Sequence, residues 1–380
     1  MKNIVYFNYY DNKIFSSWVQ TSKNIYDTVK HEYPDTDCLE SLTLSYKFVS
    51  KIKNRFYKQC IHQIYLKERY LPFLKSMSKQ LTRKLSNYSY HILLSPTTLP
   101  ISYINLDQDI ITWTDSTFPA MLNFYPGLTN VCSESIENAM LTERLALEKT
   151  KLAIYTSKWA ADAVIQNYNI DKNKIHVIPY GPNLDHDFTY DQIREIVRSR
   201  SKKKCRLLFI GTEWYRKGGD TVIETLKELN RRKFPAELVI IGPFNKSLSD
   251  VTENVIFTGF LDKNHTTELD ILKELVSSSH FFIMPSRAEC TGIVFSEANY
   301  FAVPALGSDV GGIPTIIKND INGRMFNVDC RVQEYADYIM NMFSNYKNYV
   351  DLALSSYNEC VNNLTWDISG KKLKKLIDEM

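Results

Sequence analysis

Residues 281–304, FFIMPSRAECTGIVFSEANYFAVP, carry two carboxylates, Glu289 and Glu297, eight positions apart with Gly292 between them. The apolar run at 281–285 reads as a strand, and the spacing from Ile293 onward reads as a helix. Glu289 then lies on the loop after the strand and Glu297 in the second turn of the helix, where both can face one cleft at the strand's carboxyl end. A helix that starts at Gly292 also aims unpaired N–H groups of Gly292, Ile293 and Val294 into that cleft, a setting for a phosphate or a sugar hydroxyl. Glycine at 292 lets the backbone approach a ligand closely. Two unrelated surface carboxylates are the alternative reading; the strand, loop, glycine and helix around them argue for a site.

Such a site needs a sheet to hold the loop and helices to cover the sheet. In the first half, Lys2 to Asn8 and the segments 90–96 (YHILLSP), 109–114 (DIITWT), 151–157 (KLAIYTS) and 174–179 (KIHVIP) are short apolar runs, with helical spacing at 16–29, 133–150 and 158–168. A second series follows, with strands at 207–210, 238–241, 254–257, 281–285 and 304–307 and helices at 219–232, 266–278 and 293–301. This alternation predicts two mostly parallel sheets covered by helices. The basic stretch REIVRSRSKKKCR at 194–206 reads as a solvated connection between them.

Composition narrows the class. A chain of 380 residues with 44% hydrophobic and 23% charged side chains is neither disordered nor a disulfide miniprotein. A net charge of +3 argues against a dedicated nucleic-acid binder. The seven cysteines form no C-x-x-C pair, and the amino terminus turns polar after seven residues. No run approaches about 18 apolar residues. A cytoplasmic protein without a spanning segment is the expectation.

The E-x7-E spacing, with Gly three residues after the first Glu, resembles the donor-site signature of glycosyltransferase family 4, the retaining group 1 enzymes of GT-B fold. Two more segments agree with it. GTEWYRKGGDTVIETL at 211–226 resembles that family's strand, loop, Lys-Gly, helix element, and GSDVGGIPTIIKNDINGRMF at 307–326 resembles its Gly-Gly-x-Pro turn with a closing Asn-Gly. The resemblance implies an α/β chain of two Rossmann-like, doubly wound domains facing across a cleft. Residues 1–190 would form an acceptor-binding domain, 191–206 a basic linker, 207–362 a nucleotide-sugar-binding domain, and 363–380 a helix crossing back to the first domain.

By the same resemblance, a hexose-type sugar would pass with retention from a nucleoside-diphosphate sugar to a hydroxyl of a glycan or lipid-linked glycan, in cell-surface polysaccharide or glycoconjugate synthesis. Glu297 would accept from the ribose hydroxyls, since a carboxylate accepts from both arms of a cis-diol. Glu289 would contact the transferred sugar. Lys217 and Arg216 would neutralise the diphosphate leaving group, the main catalytic device, with no cofactor and no metal required. Gly211, Thr212, Gly292, Ile293 and Val294 would line the donor, Gly259 and Phe260 would hold the base through backbone groups, and Asp115, in WTDSTF, would face the transferred sugar. The chain departs from the family at Thr212, where many members have Arg, at Thr315, where Glu is usual, and in lacking Gly-Gly after the first strand; Arg216 is expected to supply the missing charge. A nucleotide-sugar epimerase of the same fold and a non-catalytic nucleotide- or glycan-binding subunit are the alternative readings.

Residues 47–84 hold eleven Lys or Arg and one acidic residue, Glu68, interleaved with Phe48, Ile52, Phe56, Tyr57, Ile61, Tyr65, Leu71 and Phe73. Helical spacing before Pro72 makes this a basic amphipathic stretch. It suits an anionic membrane surface on the inner face, where a lipid-linked acceptor would be presented. An anionic-polymer acceptor, or a solvated helix whose aromatic residues pack on the core, would read the same way.

Overall fold

The computed structural model describes residues 2–9, 18–40, 42, 48–242 and 254–380. The chain divides into two compact units, Met1–Pro179 with Ser369–Met380, and Tyr180–Ile368.

The first unit is built on β1 (Ile4–Phe7), β2 (Asp37–Leu39), β3 (Ile92–Ser95), β4 (Asp109–Thr114), β5 (Leu152–Tyr155) and β6 (Ile175–Val177), in the order β2-β1-β3-β4-β5-β6. Every recorded strand pairing in it is parallel. Strands β1, β3 and β5 are buried at all four positions, which is why they read as unbroken apolar runs rather than alternating ones. The second unit repeats the design with β7 (Cys205–Ile210), β8 (Ala236–Ile241), β9 (Val255–Gly259), β10 (Phe281–Met284), β11 (Ala305–Ser308) and β12 (Gly323–Phe326), ordered β12-β11-β10-β7-β8-β9. Both sheets are doubly wound, as the alternation predicts.

The stretch 191–206 is not a solvated linker. Helix Tyr190–Ser199 begins at a capping box of Thr189 and Gln192, and its Ile193 and Val197 are fully buried in the core of the second unit. Arg200 is buried as well, donating to the carbonyls of Ser277, Phe301 and Ala302 and to the Tyr349 hydroxyl at 2.7–2.8 Å. Averaged composition hid the apolar i, i+4 stripe among the charges. The division between units falls instead at Pro179/Tyr180. At the far end, helix Trp366–Asp378 enters the first unit from Ser369, where Ser369 Oγ donates to the Pro179 carbonyl at 2.7 Å and Tyr33 to Asp378 at 2.9 Å.

The basic stretch splits in two. Helix Leu71–Leu85 turns Phe73, Leu74, Met77 and Leu81 into the first unit's core. Helix Phe48–Phe56 and the π-turn Tyr57–Ile61 after it leave Phe48, Val49, Ile52, Phe56 and Ile61 exposed, beside exposed Lys51, Arg55 and Lys58. No helix among the described residues is long and apolar enough to cross a membrane.

Candidate active site

In the second unit the winding reverses between β7 and β10, for β7 pairs with β8 on one side and β10 on the other. Loops leaving the carboxyl ends of strands at such a reversal diverge and open a crevice. One of these loops carries Gly211 to Gly218 and the other Pro285 to Gly292. The sheet order therefore joins segments more than seventy residues apart: the Lys217 ammonium donates to Glu289 Oε2.

Arg216 lies alongside. Its Nη1 donates to the Ala288 carbonyl at 2.7 Å and stands 3.4 Å from the same Glu289 oxygen. Its Nε and Nη2 are taken by Glu213 at 2.9 and 2.5 Å. That hydrogen bonding holds the Glu213 carboxyl below its ordinary pKa against the opposing effect of burial. Glu289 is only 8% exposed. A charge so placed is tolerable because it is paired, and the two cations supply the pairing.

Two glycines make the close approach of the loops feasible. Gly218, at φ +76°, caps helix Gly219–Arg231, and a Cβ there would stand 2.1 Å from the Pro285 carbonyl oxygen. Gly292, at φ +72°, opens helix Ile293–Tyr300 with the Phe295 ring folded against it. Left-handed backbone at both positions favours glycine. Arg287 ties the loops further, donating its N–H to the Arg216 carbonyl at 2.8 Å and its guanidinium to both Asp220 oxygens at 2.7–2.8 Å. The Gly311-Gly312 turn reaches the same place, for Gly312 N–H donates to the Glu289 carbonyl at 3.0 Å. The Asn of the Asn-Gly pair serves the fold: buried Asn322 donates to Asn299 Oδ1 and the Ile316 carbonyl and accepts from Lys318 N–H.

Glu297, in the second turn of its helix and 4% exposed, accepts at Oε1 from Asn183 N–H at 3.1 Å and from the Lys263 ammonium at 2.7 Å. Gly259 ends β9 at φ +77°, and Phe260 follows it exposed, as is Thr212 after β7. Lys217, Arg216 and Glu289 are thus brought together, with Glu297 on the helix that follows Glu289. Asp115 lies in the other unit, at the carboxyl end of β4, where Ser116 Oγ donates to it at 3.0 Å. Sequence reasoning missed Glu213, Asn183 and Lys263. Glu213 lies within the 211–226 segment at a position to which the resemblance assigns no role, and Asn183 and Lys263 enter only through turns whose path the sequence pattern does not specify.

Known proteins share the fold of this chain. The solved sucrose-phosphate synthase of Thermosynechococcus elongatus superposes with a TM-score of 0.71 over 100% of this chain and 99% of that one, at 14% identity. The fold is GT-B. Residues 191–358 match the model of the glycosyl transferases group 1 family, a span that includes Arg216, Lys217, Glu289 and Glu297. Another GT-B structure, Anabaena HepE in complex with UDP-glucose, superposes with a TM-score of 0.65 over 100% of both chains at 13% identity. An uncharacterized 41.2 kDa protein in the cps region of Klebsiella pneumoniae is 27% identical over 197 residues, 49% of this chain and 51% of that one. The chain spans about half the length of the curated relatives it matches.

Proposed function

We propose that this GT-B chain is a retaining glycosyltransferase. It moves a hexose-type sugar from a nucleoside-diphosphate sugar to a hydroxyl of a glycan or lipid-linked glycan in polysaccharide or glycoconjugate synthesis. The observation that carries the reading is the contact between Lys217 and Glu289 at the carboxyl ends of β7 and β10, inside the stretch that matches the group 1 family.

Cleaving a sugar–phosphate bond builds negative charge on the departing diphosphate. A preorganised cation at that point stabilises the developing charge, usually the largest single contribution to such a step. Lys217 supplies that charge. Arg216, held by Glu213, the Ala288 carbonyl and Glu289, stiffens the loop and adds field. The first-turn N–H groups at Gly292, Ile293 and Val294 add a partial positive charge. Glu289 contacts the transferred sugar, Glu297 the ribose, and Gly259 and Phe260 the base, while Gly211 and Thr212 border the phosphates. The acceptor hydroxyl attacks the face from which the diphosphate leaves and passes its proton to the departing phosphate oxygen as the sugar–phosphate bond breaks, so no enzyme nucleophile takes part and no metal is needed.

The exposed apolar row Phe48, Val49, Ile52, Phe56 and Ile61, flanked by Lys51, Arg55 and Lys58, supports peripheral binding to an anionic membrane on the cytoplasmic side. Apolar side chains enter the interface and the cations stay at the headgroups. Melting curves with UDP, GDP, ADP, CMP and dTDP, with and without magnesium, test the donor site. One diphosphate should raise Tm independently of magnesium and lose its effect in Lys217→Ala and Glu297→Ala. No shift with any nucleotide sinks the reading, and epimerisation of a nucleotide sugar without an acceptor would replace it with an epimerase. For the membrane, sedimentation with phosphatidylglycerol vesicles should fail in Ile52→Glu/Phe56→Glu, while nucleotide binding persists.

A further inference from the structure

Lys263 has no part in any motif, yet it reaches from a surface turn to a buried carboxylate. The turn is firmly built. Asp262 Oδ1 accepts from Asn264 N–H at 2.9 Å and Nδ2 at 2.7 Å, Asp262 N–H donates to Glu268 Oε2 at 2.6 Å, and His265 N–H donates to the Asp262 carbonyl at 3.0 Å. From there the Lys263 ammonium extends to Glu297 Oε1. A solvated ion pair gains little for the rotamer freedom it consumes. Glu297, however, sits 4% exposed on a packed helix, where an ionised carboxyl needs a partner.

The placement of the two donors matters more than their presence. Asn183 N–H and the Lys263 ammonium both bind Oε1, and among the described residues none is recorded donating to Oε2. The terminal torsion of a glutamate is soft, so a carboxylate held at one corner by two donors keeps a plane that it would otherwise sample freely. Oε2 is left as a fixed, charged acceptor.

We propose that Lys263 is a positioning residue. With Asn183 N–H it holds Glu297 so that Oε2 accepts from the ribose hydroxyls, and it thereby selects ribonucleoside over 2′-deoxyribonucleoside diphosphates as the donor class. The proposal rests on the donor-site reading above. Its consequence is that the preference for ribose depends on a residue that bonds the carboxylate and not the nucleotide.

The test is calorimetric binding of UDP, GDP and ADP and of dUDP, dGDP and dADP to the full chain, with Tm recorded for each variant. The parent should bind its preferred ribonucleotide at least about tenfold tighter than the deoxy counterpart, as one hydrogen bond to a charged group implies. Lys263→Met should bring that ratio to within about threefold, by a larger loss for the ribonucleotide than for its deoxy counterpart, which keeps the 3′-hydroxyl, and Lys263→Arg should restore it. If Glu297→Gln abolishes the ratio while Lys263→Met preserves it, the donor site stands and the role of Lys263 falls. An equal loss for both nucleotides in Lys263→Met, or a merely lower Tm, likewise overturns it. If the parent binds no nucleoside diphosphate, the donor-site reading itself has failed.

Discussion

Replacing Glu289 by Gln keeps the shape of the side chain and removes the charge that faces two cations. The Glu289 and Lys217 side chains are 10% and 14% exposed, so water cannot readily take over. Arg216 retains Glu213 and the Ala288 carbonyl, whereas Lys217 is left without its ion-pair partner. Removing one partner of a buried pair costs about 3–5 kcal/mol, and the retained amide acceptor puts this variant near about 3. At roughly 2–4 °C per kcal/mol for a unit of this size, the second unit should melt about 6–12 °C lower. The uncompensated ammonium is also a better anion site, so UDP should recover more of the lost Tm in Glu289→Gln than it adds to the parent, and inorganic diphosphate should do the same. Transfer of sugar should be lost. Differential scanning fluorimetry and calorimetry at low and high salt measure all of this. A variant melting within about 2 °C of the parent, or one whose affinity for UDP falls, would refute the coupling of Lys217 to Glu289.

Two further outcomes follow from other parts of the second unit. Gly218→Ala places a Cβ 2.1 Å from the Pro285 carbonyl oxygen at a left-handed backbone position; it should cost at least about 2 kcal/mol in urea unfolding and weaken UDP binding, by pushing the two loops apart. His280, fully buried, accepts at Nδ1 from Arg206 N–H at 2.9 Å and has the Ser201 carbonyl 2.8 Å from Nε2, the bonding of a neutral ring protonated on Nε2. Burial pushes its pKa down to about 3. The unfolded chain takes up that proton near about 6.5, so between the two values it binds more protons than the folded one and stability falls as pH falls. The parent should lose about 2 kcal/mol between pH 7 and pH 5 that a folded His280→Gln variant does not lose, and the His280 ring signals should not titrate above pH 5. A midpoint near 6 in the folded protein would contradict it.

The repeated alternation of apolar runs and helical spacing was legible because parallel strands buried on both faces need continuous hydrophobic sequence. Strands β2 and β12 escaped notice because they are short edge strands, half-exposed, and GRMF has no apolar run to read. The helices Val332–Ser344 and Tyr346–Asn363 were likewise unassigned, although Tyr335, Ala336, Ile339, Tyr349, Leu352 and Ala353 mark their buried faces. In the basic stretch, pattern alone could not tell the inward face of Leu71–Leu85 from the outward face of Phe48–Phe56, since both are amphipathic and cationic. Which face is covered depends on what the rest of the chain places beside it.

Local chemistry was written in the sequence: a left-handed glycine before a helix, carboxylates at a spacing that follows one strand, and cations ahead of a Gly-Gly. Those features depend on neighbours within a dozen residues, where backbone sterics and helix geometry rule. The partnership of Lys217 with Glu289, the capture of Glu297 by Lys263, and the burial of Arg200 in a stretch that reads as linker were decided by tertiary structure alone. Each joins a charge to partners whose distance is set by strand order and loop path. The energy of a buried ion pair turns on separations of a few ångströms and on the exclusion of water, quantities that no single segment carries.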